Sequence, residues 1–169
     1  MLRSLITTLL LVISSISYAA DQQFKDGLKL YLKGEIENAV QIWNQLAQEG
    51  DVQSQKQLGQ YYLTDHAHRD YPLAISWYRK AYEQGDYGAM QQLENAEAIY
   101  STWQTLANEI GKEAAYATMT FREHLSEGDN TYCGFVVEVK TKVVLVQTAT
   151  QPRWFKKDNL YAPGIKRCN

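Results

Sequence analysis

Between Ala39 and Ala47 the apolar residues Ala39, Ile42, Trp43, Leu46 and Ala47 follow the i, i+3, i+4, i+7, i+8 spacing of one helix face. Thirty-five positions later Ala74, Trp77, Tyr78, Ala81 and Tyr82 repeat that stripe without a gap. Each stripe runs into a Gly-Asp pair, Gly50-Asp51 and Gly85-Asp86. A glycine there can take the left-handed conformation that ends a helix. The aspartate after it can cap the next one. A further helix is expected before each stripe. Phe24 to Lys33 carries Phe24, Leu28 and Tyr31 and stops at Gly34, and Val52 to Leu63 carries Leu58, Gly59 and Tyr62. Gly59, lacking a side chain, lets a neighbouring helix come close. The second pair has a longer loop, Thr64 to Tyr71, closed by a capping Asp70 and a first-turn Pro72.

Two helices per unit of about 35 residues is the pattern of a helical solenoid. Ala89, Met90, Leu93, Ala96 and Ile99 continue the stripe as a third first-helix, and Trp103, Leu106 and Ile110 predict a separate helix ending near Gly111. These are read as capping helices. Lys112 to Leu125 allows one more helix through Ala114, Ala115, Met119 and Leu125. From Asn130 the period changes to two. Phe135, Val137 and Val139 alternate with Val136, Glu138 and Lys140, Val143 to Thr148 is a β-branched run, and Arg153 to Lys156 is a third short strand. Asp158-Asn159-Leu160 reads as a tight helical turn. The expected fold is α+β: a repeat solenoid with capping helices over residues 21–127, then a small β-barrel or curled sheet over 128–169.

Leu58-Gly59-x-x-Tyr62, Ala74-x-x-Trp77-Tyr78-x-Lys80-Ala81 and Gly85-Asp86 resemble the Sel-one-like repeat, a relative of the tetratricopeptide repeat. The first copy departs from it, with Ile42-Trp43 in place of Trp-Tyr. The likeness covers about Phe24 to Leu93. It implies a protein-binding solenoid whose first helices line the inner curve, which would turn Tyr61, with His66 and His68 on the same rim, toward a partner. Exported bacterial members include immunity proteins that neutralise toxic effectors, so that role is an expectation here. The C-terminal segment, with Gly134, Val136, Glu138-Val139, Val143, Trp154-Phe155 and Leu160-Tyr161, is similar to Src-homology-three-type barrels of bacterial envelope proteins. That likeness implies the alternative function, a peptidoglycan-binding module using Trp154, Phe155 and Tyr161.

The first twenty residues change the picture from fold to location. Arg3 is the only charged side chain before Asp21, and Leu5 to Ile16 is an apolar run ahead of Ser17-Tyr18-Ala19. This reads as a cleavable export signal, cut after Ala19 or Ala20. The run is too short for a span of about 20 apolar residues, so no stable membrane insertion is expected after cleavage. The mature chain is then periplasmic or secreted. Cys133 and Cys168 are the only cysteines, and in an oxidising compartment an even pair reads as a disulfide pinning the β segment.

Charge is unevenly spread. Asp21 to Asp129 holds 9 Lys/Arg against 17 Asp/Glu, and Asn130 to Asn169 holds 7 against 2. The shift places a boundary near Gly128. Export argues against nucleic acid as the partner of the basic end. Asp65-His66-Ala67-His68-Arg69-Asp70 is the one cluster of catalytic residue types, and it reads as a polar loop with capping aspartates, since His-x-His lacks a third ligand at metal-site spacing. No nucleophile motif, phosphate loop or dinucleotide fingerprint is present. The expectation is a binding protein, not an enzyme, with no cofactor and no metal. Its partner is another protein, met through Tyr61, His66, His68, Trp154 and Tyr161.

Overall fold

The computed structural model describes residues 18–165. It is α+β: six helices followed by a four-stranded antiparallel sheet. The helices are α1 (18–32), α2 (Ile36–Gln48), α3 (Val52–Thr64), α4 (Tyr71–Glu83), α5 (Tyr87–Ile110) and α6 (Lys112–Glu123). The strands are β1 (Asn130–Thr131), β2 (Gly134–Val139), β3 (Val143–Gln147) and β4 (Pro152–Lys156), with a 3-10 turn at Lys157–Asn159. Most of the expected export signal lies outside the described residues, as does Cys168. Cys133 is half-buried. The chain divides into two compact units between Ile99 and Tyr100. That division precedes the compositional shift near Gly128, because α6 packs in the second unit with the sheet.

In the first unit the punctuation read from the sequence recurs as geometry. Gly50 and Gly85 end α2 and α4 at φ +99° and +92°. Asp51 accepts a hydrogen bond from the Ser54 backbone N–H at 2.7 Å, and Asp86 accepts one from the Ala89 N–H at 3.0 Å. Both carboxylates thereby satisfy an amide that the first helical turn would leave unpaired. The stripes face inward. Ala39, Trp43 and Leu46 are buried, and so are their counterparts Ala74, Tyr78 and Ala81. Tyr82 departs from the pattern: it is exposed and meets Tyr87 edge-on. Trp43 and Trp77 join Ala39, Ala47 and Leu58 in one core, with Phe24, Leu28 and Tyr31 of α1 packed against it. Each large apolar side chain so buried stabilises the unit by roughly 1.5–3 kcal/mol.

The close approach expected at Gly59 is real. A Cβ there would lie 2.8 Å from the Tyr78 ring. Gly27 on α1 stands in the same relation to Trp43, the counterpart of Tyr78, with a Cβ 2.6 Å from the indole nitrogen. Each helix pair is therefore closed by a glycine pressed against an aromatic ring.

From α5 onward the structure differs from expectation in three ways. Helix α5 runs unbroken for 24 residues, where two helices were expected. No glycine or proline lies between Gly88 and Gly111 to interrupt it. The sheet is an open meander in the order β1-β2-β3-β4, and not a closed barrel. Strands of two to six residues leave β1 and β4 as its edges. The alternation in β2 is also offset. A bulge between Val136 and Glu138 turns Val136 and Val139 toward the core and leaves Phe135 and Val137 exposed. Val136, Val144 and Val146 meet Leu125 and Leu160 in the core of the sheet.

Candidate functional site

Glu37, Val40, Gln41 and Asn44 lie on one face of α2 at i, i+3, i+4, i+7 spacing, beside the buried stripe. With Tyr61 and Tyr62 of α3 and His68 of the following loop they line a groove of about 420 Å3 in the first unit. The loop is held by Asp65. Its carboxylate accepts hydrogen bonds from the backbone N–H of Ala67 at 3.0 Å and of His68 at 2.9 Å, an Asx-type turn. The same oxygen lies 2.9 Å from His68 Nδ1. The Asp70 N–H donates to the Tyr62 carbonyl at 2.8 Å and returns the chain to α3 before α4 begins.

This turn lays the His68 ring over Tyr61, with centroids 5.6 Å apart and near-parallel planes. Tyr62 meets Tyr61 edge-on at 5.1 Å. Tyr61 is consequently only 6 % exposed. It forms the floor of the groove and is not the open contact expected of it, because the capped loop folds His68 across it. Burial first, and then the Asp65 carboxylate, push the Tyr61 phenol up to about 12. Burial works to raise the Asp65 carboxyl. The His68 ring and the two backbone N–H groups outweigh it and hold that carboxyl below its usual range.

His66 turns to a different neighbour. The Arg69 guanidinium donates to its Nδ1 at 3.0 Å and to the Thr64 carbonyl at 3.4 Å. Arg69 also lies over the Tyr71 ring at 5.9 Å. The two histidines of the loop thus answer to Arg69 and to Asp65, and His68 alone lines the groove.

The remaining expected contacts are in the second unit and do not form one surface. Trp154 is 47 % exposed on β4, with the Lys140 ammonium 4.4 Å from its ring centre. Tyr161 is 5 % exposed. It packs with Leu106 and Ala115, approaches Glu109 through its hydroxyl at 3.5 Å and lies under Arg122 at 5.5 Å. It is a core residue, carried against α5 and α6 by the segment that follows the 3-10 turn, and Phe155 packs against the sheet core. A groove framed by Trp154, Phe155 and Tyr161 is therefore not formed.

Comparison with protein-family models, with curated proteins and with solved structures finds no match. The groove must then be read from its own chemistry. It offers two tyrosine rings with few rotors, one carboxylate on the rim (Glu37), amides from Gln41 and Asn44, and an imidazole. The Asn44 amide already donates to the Val40 carbonyl at 3.0 Å. Sequence reasoning did not single out Glu37, Gln41, Asn44 or Tyr62 as site residues. The signal was present, since the α2 residues share helical spacing one step round from the core stripe.

Among the described residues no helix is long and apolar enough to cross a membrane.

Proposed function

We propose that this chain is an exported protein-binding adaptor or inhibitor, and that its helical unit grips a segment of the partner in the groove between α2 and α3. The observation that carries this reading is the groove itself: a floor of paired tyrosines under a rim of carboxylate, amide and imidazole. Aromatic rings bury large area with little loss of freedom, which makes them favoured anchors at interfaces. Glu37 and the acidic balance of residues 21–129 favour a partner with a basic surface. The recurring Gly-Asp caps and Gly-aromatic contacts are what a Sel-one-like solenoid would require, and the leader favours a periplasmic or secreted setting. An immunity role toward a basic toxic effector is one form of this function.

Affinity capture of the full-length protein from envelope extract tests it. A stoichiometric protein partner should be retained, and lost with Tyr62→Ala and with Glu37→Lys. Recovery of the wild-type chain alone, or equal retention by both variants, would count against the reading.

A further inference from the structure

The second unit holds a larger cavity, of about 780 Å3, that the groove reading does not use. It lies where α6 faces the end of the sheet made by the β2–β3 turn, the start of β3 and the end of β4. Its charged lining is Arg122, Lys142, Lys156 and Lys157 against Glu123 and Asp158. Lys142, Lys156 and Lys157 form no ion pair among the described residues. The backbone brings these three together: Val143 pairs with Lys156 across the sheet, and the Lys157 N–H donates to the Lys142 carbonyl at 3.0 Å. Three like charges thus gather at one end of a small sheet, and with Arg122 they outnumber the Glu123 and Asp158 carboxylates of the same lining, so the cavity keeps a positive balance.

Arg122 is set differently. Its Nε donates to the Leu160 carbonyl at 2.7 Å and its Nη2 to the Asp158 carbonyl, while its Cζ lies 5.5 Å from the centre of the Tyr161 ring. Backbone carbonyls hold the guanidinium in place, and the Asp158 and Glu109 carboxylates act on its charge only through space. Burial pulls its pKa down, the mark of a cation that has lost water. Met119 and Val143 add apolar surface to the same cavity, and the volume falls in the range of small-molecule sites.

We propose that this cavity binds an amphiphilic organic anion, with a carboxylate or phosphate group met by Lys142, Lys156 and Lys157 and an apolar body lying against Met119 and Val143. An inorganic anion alone would leave the apolar lining unused. A neutral apolar ligand would leave the lysine charges unanswered.

Fluorescence titration of the full-length protein with 1-anilinonaphthalene-8-sulfonate reads the site directly. Saturable binding at one dye per chain is expected. Affinity should fall about tenfold or more in Lys142→Gln/Lys157→Gln, and should fall when salt rises from about 0.05 to 0.5 M. Lys140→Gln, outside the cavity, should change it by less than about twofold. Circular dichroism shows whether each variant is folded, and Lys156→Gln alone replaces the double variant if that one is not. Octanoate and octyl phosphate separate the two head groups: displacement of the dye by either supports the site and names its group. Equal displacement by octanol, equal affinity for the uncharged N-phenyl-1-naphthylamine, or unchanged dye affinity in a folded lysine variant would overturn the proposal.

Discussion

At Gly59 two opposing effects can be weighed. Alanine favours a helix over glycine by about 1 kcal/mol. The added Cβ would meet the face of a buried ring, Tyr78, that cannot swing aside. Overpacking of this kind costs about 1–3 kcal/mol, so Gly59→Ala is expected to lower stability in urea unfolding in spite of the helix gain. Asp86 separates a cap from an ion pair. Its one oxygen accepts the Ala89 N–H, and its other lies 2.9 Å from Lys56 Nζ in a partly buried pair. Asparagine keeps the cap and alanine keeps neither. Asp86→Asn should cost at most about 1 kcal/mol and Asp86→Ala roughly 1 kcal/mol more, by the same unfolding assay. The Lys56 hydrogen bond, against the opposing effect of burial, holds the Asp86 carboxyl below its ordinary 3.8. Its contribution is thus full above that value and fades as pH falls through the lowered one. In wild type minus Asp86→Asn, the stability difference should shrink in that acid range and stay flat near neutrality.

Among the elements, those with strong periodicity and hard stops could be read from the sequence. Helices α2 to α4 have both, and the strands stand where β-branched runs meet turns. The join within α5 could not be read so. A lapse in the apolar stripe near Ile99 suggests a break, but a helix stops only where its hydrogen bonding is interrupted, and nothing from Tyr87 to Ile110 does that. Ser101→Pro tests the continuity. Proline inside an unbroken helix costs about 3 kcal/mol or more, whereas a junction between two helices would accept it. A marked fall in helical circular dichroism signal or in melting temperature is the expected result. The bulge in β2 was equally hidden, because one extra residue reverses which valines face inward without altering composition. The site was legible only in part. His68 lines a groove beside Tyr61, but that Tyr61 lies beneath the His68 ring and Tyr161 against α5 and α6 depends on tertiary packing. The lysines of the cavity come from the β2–β3 turn and the end of β4, and only the register of β3 against β4 brings them together.

For the molecule as a whole, the acidic and basic stretches were plain from residue counts. The place where the chain divides was not, since composition shifts near Gly128 while packing shifts near Tyr100. The pairing of Cys133 with Cys168 is the remaining large contribution to stability expected from sequence. Closing a loop of that length would add roughly 3–4 kcal/mol by limiting the unfolded chain. Treatment with dithiothreitol should therefore lower the melting temperature of the second unit, and the untreated protein should show no titratable thiol. A thiol count of two before reduction would sink the pairing. The open sheet carries one more consequence. Its outer strand β4 is exposed and begins at Pro152, which cannot donate to a neighbouring strand, and Arg153 and Lys156 place charge along the same segment. Strand β1, at the other margin, is only two residues long. Neither margin offers a template on which further chains could add in register, so the features that leave the sheet unclosed also guard it against fibril growth.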